Sequence, residues 1–513
     1  MVRLVAILVA VLALEGLSLA ADVSRDQPNI VIYLTDDESW QERSGYGWSN
    51  LPTPHFDRVA REGVLFTNGF ASAPSCAPSR AALLTGRNFW ELEEGAFIQA
   101  WLPAKFPVMP ELFEHAGYQV GFTGKGWGPG VPGDRSRKPT GDEFRSVLRE
   151  SPEPGISPID YAANLAAFLD TRKPNQPFWF WVGCIEPHAP CDTGNRHKLA
   201  MRGLAQDQIK LPGTLPDTPG IRGERADMLW EICRADDDLG RILDVLEQRG
   251  ELANTLLIVT SDNGTQTLRG KANLYDWGVH VPLAVMWPAR AKAGRVVTDF
   301  VNLADVAPTC LAAAGLTKPD GMSGRSFLKV LKAESAGRID ATRDHVVTGI
   351  EWHGERDPTN IAGRMIRDDR WLYIRNFSQA PRHPLPASSR RPAAEFARNA
   401  ATATAWGMLA KHPDDPAIAP FVEPATGPRM PEELYDLSVD PWQTTNLADQ
   451  HQHAATLERL RNQLAEECLR TGDPRFTGDM TTFDRTRAFV LERKFGENGY
   501  ATKALRRKQP ARE

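Results

Sequence analysis

Apolar runs and amphipathic stretches alternate along the first two thirds of the chain. "PNIVIYLTDDES" is an apolar, β-branched run that follows a proline and ends in two acids. It predicts a buried strand with Asp36 and Asp37 at its carboxyl end. "HFDRVAREG" has the spacing of a short amphipathic helix closed by Gly63. "VMPELFEHAGYQVGFTGKGWG" reads as helix, glycine stop, strand and loop. "IDYAANLAAFLDTRKPNQPFWFWVGCIEPHAP" repeats that order, and "ADMLWEICRADDDLGRILDVLEQRGELANTLLIVTSDNG" does so again. The alternation predicts an α/β fold: a large, mostly parallel sheet sandwiched by helices. Ligands of such sheets bind beyond the carboxyl ends of the strands. Each loop here that holds a polar cluster follows a strand at that end.

From about residue 340 the pattern changes. "HVVTGIEWHG", "GRMIRDDRWLYIRNF" and "EELYDLSVDP" read as short antiparallel strands. Between them lies a Pro-rich insert around one helix, "PLPASSRRPAAEFARNAATATAWGMLAKHPDDP", and "AATLERLRNQLAEECLRTG" is a late amphipathic helix. A smaller C-terminal α+β lobe with an antiparallel sheet, residues 341–500, is expected behind a main domain of residues 22–340. The basic end, 501–513, reads as a solvated tail. At the other terminus, "MVRLVAILVAVLALEGLSLAADVSRD" sets one arginine before an apolar run, with small residues at Ser18 and Ala20. That is the layout of an export signal over residues 1–20, cut after Ala20 or Ala21. Glu15 interrupts the run, which is short for a membrane span. An exported protein, periplasmic or secreted, free of the membrane after cleavage, is expected.

The 513 residues carry 60 Lys and Arg against 65 Asp and Glu. This balance excludes a general nucleic-acid binder, so any affinity for an anion must come from local residues. Six cysteines in so long a chain do not make a disulfide framework. Cys184 and Cys191 flank a short loop and are spaced to pair. Cys233 and Cys310 sit in apolar patterns and read as buried thiols.

Four polar clusters stand at strand ends or helix starts: Asp36-Asp37, Cys76 with Arg80, His188 in "EPHAP", and Asp262-Asn263 in "TSDNG". Lys125 and Lys271 add two cations. Three acids and an amide oxygen suit a hard cation, Ca²⁺ or Mg²⁺, where zinc would want nitrogen or sulfur. Taken singly, Asp36-Asp37 also reads as a helix cap and "SDNG" as a plain turn. Arg80 follows Cys76 by four residues in "CAPSRAALLTGR", so both share one helix face near an N-terminus that favours anions. Cys76 alone reads equally as a small buried hydrophobe.

"CAPSRAALLTGR" closely resembles the type I sulfatase signature, whose cysteine is oxidised after translation to formylglycine. "YLTDD", "PHAP", "TSDNG" and "GKANLYDWGVHVPL" match that family's other motifs in order. Within the family, "NLYDWG", "TPGIRGERADM" and "LYDLSVDPWQTTNLAD" are similar to the sulfamidase, or heparan N-sulfatase, branch. The resemblance implies an alkaline-phosphatase-like fold and hydrolysis of sulfate esters or N-sulfates of a sulfated glycan such as heparan sulfate. It implies a formylglycine-generating enzyme, or an equivalent maturase, acting on Cys76. The aldehyde hydrate has one hydroxyl to attack sulfur and a second to expel sulfate. By the same resemblance Asp36, Asp37, Asp262, Asn263 and the modified Cys76 hold Ca²⁺, with Mg²⁺ the lesser candidate. Arg80, Lys125 and Lys271 clamp sulfate, and His188 is general acid to the leaving group.

One position departs from the family pattern. Where G-K-x-H is usual, this chain reads "GKGWG", with Trp127 in the histidine's place. That histidine assists sulfate release, so another base serves here, or Trp127 simply packs or lines the cleft. His280 is near Lys271 in sequence. Trp48, Trp90, Trp101, Trp127 and Trp277 fall in loops or near motif ends, where rings can cover sugar faces, although most Trp residues are core. Two other readings stay open: a phosphomonoester or phosphonate hydrolase of the same superfamily, and a weakened sulfated-glycan binder.

Overall fold

The computed structural model describes residues 27–131, 133–353, 360–382 and 405–495. The expected export signal, the basic tail and residues 383–404 of the Pro-rich insert lie outside the described residues. Among the described residues, no helix is long and apolar enough to cross a membrane.

Eight strands form the main sheet: β1 (Asn29–Thr35), β2 (Val64–Phe70), β3 (Gln119–Gly124), β4 (Asp142–Glu143), β5 (Phe178–Gly183), β6 (Thr255–Ser261), β7 (Leu283–Met286) and β8 (Arg295–Asn302). Their order is β4-β3-β5-β1-β6-β7-β2-β8. Every pairing is parallel except those of β7, which runs against both β6 and β2. The strands are apolar on both faces because helices cover both. Ile30, Ile32 and Leu34 of β1 pack one way, with Ala81, Leu83 and Leu84 of the helix Cys76–Thr85 and with the helices Met109–His115 and Val306–Ala313. Val31 and Tyr33 pack the other way, against the helices Pro54–Glu62, Tyr161–Asp170 and Pro219–Gln248. The last of these starts well before "ADMLWEI". Thr218 caps it, its side chain accepting from the Ile221 amide, and Pro219 occupies the first turn.

Register positions the site. Leu34 of β1 lies opposite Gly183 of β5, Thr35 lies opposite Ser261 of β6, and Gly124 of β3 lies opposite Gly183. Four adjacent strands therefore end level, and the residues after each leave the sheet together. Glycine is required where β3 and β5 end. A Cβ on Gly183 would come 1.8 Å from the Lys125 carbonyl oxygen, and the Lys125 amide donates to Gly183 O at 2.7 Å. Any side chain there would push Lys125 away from β1.

The second sheet, order β12-β11-β10-β9, is antiparallel: β9 (His345–Ile350), β10 (Gly363–Asp368), β11 (Trp371–Asn376) and β12 (Glu432–Asp436). Leu372 and Ile374 face the main domain through Phe70, Leu274 and Phe300. Tyr373, with Ile366 and Leu434, faces the helix Ala454–Arg470. All six cysteines are free thiols, so Cys184 and Cys191, although spaced so that they could pair, do not. Cys184 Sγ lies against Tyr33 Oη at 3.1 Å, beneath the loop, while Cys191 contacts the Pro187 carbonyl at 3.9 Å. Cys233 and Cys310 are buried.

Candidate active site

Asp36 and Asp37 follow β1, and Asp37 adopts φ 72°, in the left-handed region that aspartate tolerates better than most residues. Its amide donates to Asp262 Oδ1 at 3.2 Å, and Asn263 Nδ2 donates to Asp37 Oδ1 at 2.7 Å. One ligand atom each of Asp36, Asp37, Asp262 and Cys76 lies within 4.8 Å of all the others. All four residues are buried. Asn263 Oδ1 is buried too and has no hydrogen-bond partner among the described residues. Three carboxylates and an orphaned amide oxygen at this spacing fit a hard, oxygen-liganded divalent cation.

Cys76 opens the helix Cys76–Thr85, with Ser75 before it in extended conformation. Its Sγ lies 3.5 Å from Asp36 Oδ1, 3.9 Å from Asp37 Oδ1 and 3.1 Å from Lys271 Nζ. Burial pushes the Cys76 thiol up, and Lys125 and Lys271 only partly offset it. One turn along, the fully buried Arg80 donates from Nε to Asp262 Oδ2 at 2.7 Å and from Nη1 to the carbonyls of Lys125 and Gly126 at 2.9 and 3.0 Å. Its Nη2 has no hydrogen-bond partner among the described residues and stands 3.6 Å from Asp36 Oδ1. Arg80 thus ties the ends of β3 and β6 to the signature helix.

Lys271 Nζ lies 2.6 and 2.7 Å from the two Asp37 oxygens, and Lys125 Nζ pairs with Asp36. Burial alone would lower Lys271, yet Asp37 and Cys76 hold its ammonium well above the ordinary lysine range. Burial would likewise raise Asp36, but Lys125 and Arg80 outweigh it and keep the carboxyl below its usual value. In Asp37 burial is outweighed by Lys271 and His188. Three acids thus face three fixed cations.

His188 stands at the rim, a third exposed, with Nδ1 2.7 Å from the Ala189 carbonyl and Nε2 3.7 Å from Asp37 Oδ2. That contact assigns the proton to Nδ1 in the neutral ring and turns Nε2 toward the acids. The loop is braced by residues that sequence reasoning missed. Buried Glu186 accepts from the Ser157 amide at 2.6 Å and from Tyr161 Oη at 3.0 Å. Gln266 Oε1 accepts from the Ala189 amide at 3.2 Å. The adjacency of Glu186 to the "PHAP" motif was its only signal. An open cavity of about 320 Å³ reaches Asp36, Lys125 and His188 and continues past Glu143, Arg145, Ile159 and Ile185.

Other candidates lie elsewhere. Trp127 is half-buried against the core, its ring so close over Gly130 that a Cβ there would meet it at 2.3 Å. His280 is buried, stacked between Trp40 and Phe70, with Nε2 2.8 Å from the Thr67 carbonyl. Trp90, Trp101 and Trp277 are core. Trp48 packs edge-on against Trp277 and Trp442.

The geometry agrees with what the chain is similar to. A family profile described as Sulfatase matches residues 28–316, and one described as N-sulphoglucosamine sulphohydrolase, C-terminal, matches 264–388. The human N-sulphoglucosamine sulphohydrolase is 29% identical over 499 residues, covering 90% of this chain and 93% of the relative. An ulvan-active sulfatase of Formosa agariphila is 27% identical over 460 residues, covering 87% and 81%. Among solved structures, one in complex with its substrate D-glucosamine-2-N,6-O-disulfate superposes with a TM-score of 0.64 at 21% identity, covering 87% of this chain and 98% of that one. The phosphonate monoester hydrolase of Agrobacterium radiobacter superposes at 0.60 with 19% identity, covering 87% and 96%. With more than half its length matched by the profile and the signature cysteine set among acids and cations at the sheet's carboxyl edge, this chain belongs to the sulfatase family.

Proposed function

We propose that this protein hydrolyses sulfate groups of a sulfated glycan, N-sulfated glucosamine of the heparan type foremost, with residue 76 as formylglycine and Ca²⁺ as the metal. The observation that carries the reading is Cys76 at a helix start, 3.1 Å from Lys271 and within 4.8 Å of three carboxylates. Near-full-length similarity to the human N-sulphoglucosamine sulphohydrolase supports the substrate class.

Asp36, Asp37, Asp262 and Asn263, with residue 76, would hold the ion. When bound it supplies positive charge that acidifies a hydroxyl nucleophile and polarises a sulfate oxygen. It also tips a site of three acids and three cations toward net positive, matched to an anionic substrate. As the hydrated aldehyde, residue 76 offers one hydroxyl to sulfur and keeps a second to expel sulfate. Lys125 and Lys271 hold sulfate oxygens. Arg80 fixes Asp262 and offers its spare Nη2 to the same pocket. Nε2 of protonated His188 donates to the departing oxygen or nitrogen. Export through residues 1–20, conversion of Cys76 by a formylglycine-generating enzyme, and division into a 22–340 catalytic domain and a 341–500 subdomain belong to the same reading.

The test is a panel assayed with protein shown to carry the aldehyde: N-sulfoglucosamine, O-sulfated sugars, an aryl sulfate, a phosphomonoester and a phosphonate. Sulfated sugars should give the highest kcat/KM. A tenfold preference for phosphate or phosphonate would replace this reading, and binding without turnover would make the protein a sulfated-glycan binder.

A further inference from the structure

The cavity that opens on His188 and Lys125 extends to a cation that the chemistry above does not use. Arg145 lies two residues beyond β4, the edge strand beside β3. Its side chain is 65% exposed, and its contact is with Glu143 Oε1 at 3.5 Å, too long for a good hydrogen bond. Glu143 is already paired through its other oxygen with Lys138. Two cations therefore share the Glu143 carboxylate at the mouth, and Arg145 holds the longer and weaker of the two contacts. Neighbouring arginines are anchored differently: Arg135 pairs with Glu111 and three backbone carbonyls, and Arg149 lies bidentate on Asp238. Across the cavity, Ile159 and the 39% exposed Ile185 give an apolar wall suited to the C–H face of a sugar ring. A guanidinium with most donors uncommitted among the described residues matches a planar carboxylate or a sulfate two bonds at a time.

Resting on the sulfatase reading, we infer that Arg145 binds a second anionic group of the substrate, beyond the scissile sulfate: a uronate carboxylate or a further sulfate. The cavity would then seat the leaving sugar between the isoleucines and Arg145, while His188 faces the bond that breaks. Arg145 would set selectivity among sulfated sugars without taking part in the chemistry.

The experiment measures kcat and KM of wild type, Arg145→Ala and Arg145→Lys on three substrates. These are N-sulfoglucosamine, its 2-N,6-O-disulfated form, and N-sulfoglucosamine joined to a uronic acid. The inference expects the preference for a doubly anionic substrate over the first to fall about fivefold to thirtyfold in Arg145→Ala, chiefly through KM, and to recover partly in Arg145→Lys. Loss confined to the uronate substrate identifies a carboxylate, and loss confined to the disulfate identifies a sulfate. A preference that moves less than twofold, or equal losses on all three substrates, overturns the inference while leaving the sulfatase reading intact. A wild type that releases sulfate from none of them overturns the sulfatase reading and this inference with it.

Discussion

Arg80→Leu tests how the site is held together. The Arg80 side chain is fully buried and closes three contacts of 2.7 to 3.0 Å, to Asp262 and to the carbonyls of Lys125 and Gly126. Its removal leaves Asp262 as a buried charge without its cation, which costs about 3–5 kcal/mol. The Gly126 carbonyl loses its donor as well, adding about 1 kcal/mol, while the Lys125 carbonyl keeps Trp181 Nε1 at 3.0 Å. The total, about 4–6 kcal/mol, compares with the whole folding free energy of a typical domain, about 5–15 kcal/mol. Arg80→Lys keeps a charge but cannot reach all three partners, so it should lose about half as much. The assay is urea unfolding followed by tryptophan fluorescence, with and without Ca²⁺. Calcium should stabilise Arg80→Leu more than wild type, because it neutralises the carboxylate that the substitution strands. An Arg80→Leu protein within about 1 kcal/mol of wild type would refute the argument that this arginine organises the acids.

Other outcomes follow from the same geometry. His188→Ala, at a rim position that contributes little to folding, should slow turnover of sugar sulfates by about 10²–10⁴. An activated aryl sulfate should suffer much less, and equal loss on both would remove His188 from the general-acid role. Exhaustive chelation should abolish turnover and Ca²⁺ should restore it; full activity with no metal found by elemental analysis would contradict the metal site. Glu231 is buried in the helix Pro219–Gln248, and burial, aided by Glu186, pushes its carboxyl up to about 8 from 4.5. Between those values the folded chain holds a proton that the unfolded chain has released, so its contribution to stability falls as pH rises. Glu231→Gln should therefore raise the melting temperature relative to wild type more at pH 8 than at pH 5, and an equal shift at both would refute the assignment.

Much of this was legible in the sequence because strand ends carry the chemistry. The unbroken apolar runs in "NIVIYLTDD" and "TLLIVTSDNG" located β1 and β6, and the acids after them, without a structure. The C-terminal meander was equally plain, since its strands alternate with one face on the main domain and the other on a helix. β2, β7 and β8 were not legible. "VLFTNGF" mixes polar and glycine positions, and the four-residue β7 owes its reversed direction to neighbours far along the chain. Partnerships were illegible too. Arg80 reads as a sulfate clamp from the signature, yet its Nε meets Asp262 across 182 residues of sequence. The level strand ends that create this pairing depend on register, which no local pattern encodes. Arg145 carries no motif at all, and only the placement of β4 at the sheet edge brings it to the cavity.

Sulfatase chemistry at this site requires residue 76 to be more than a packed thiol. The most direct measurement is mass spectrometry of the peptide spanning Cys76, made on preparations that differ in their extent of conversion and paired with sulfate release from N-sulfoglucosamine. The expected result is loss of the thiol, gain of an aldehyde or its hydrate, turnover proportional to the converted fraction, and none in a folded Cys76→Ala protein. Sulfate release at full rate from protein that carries only unmodified cysteine would contradict it.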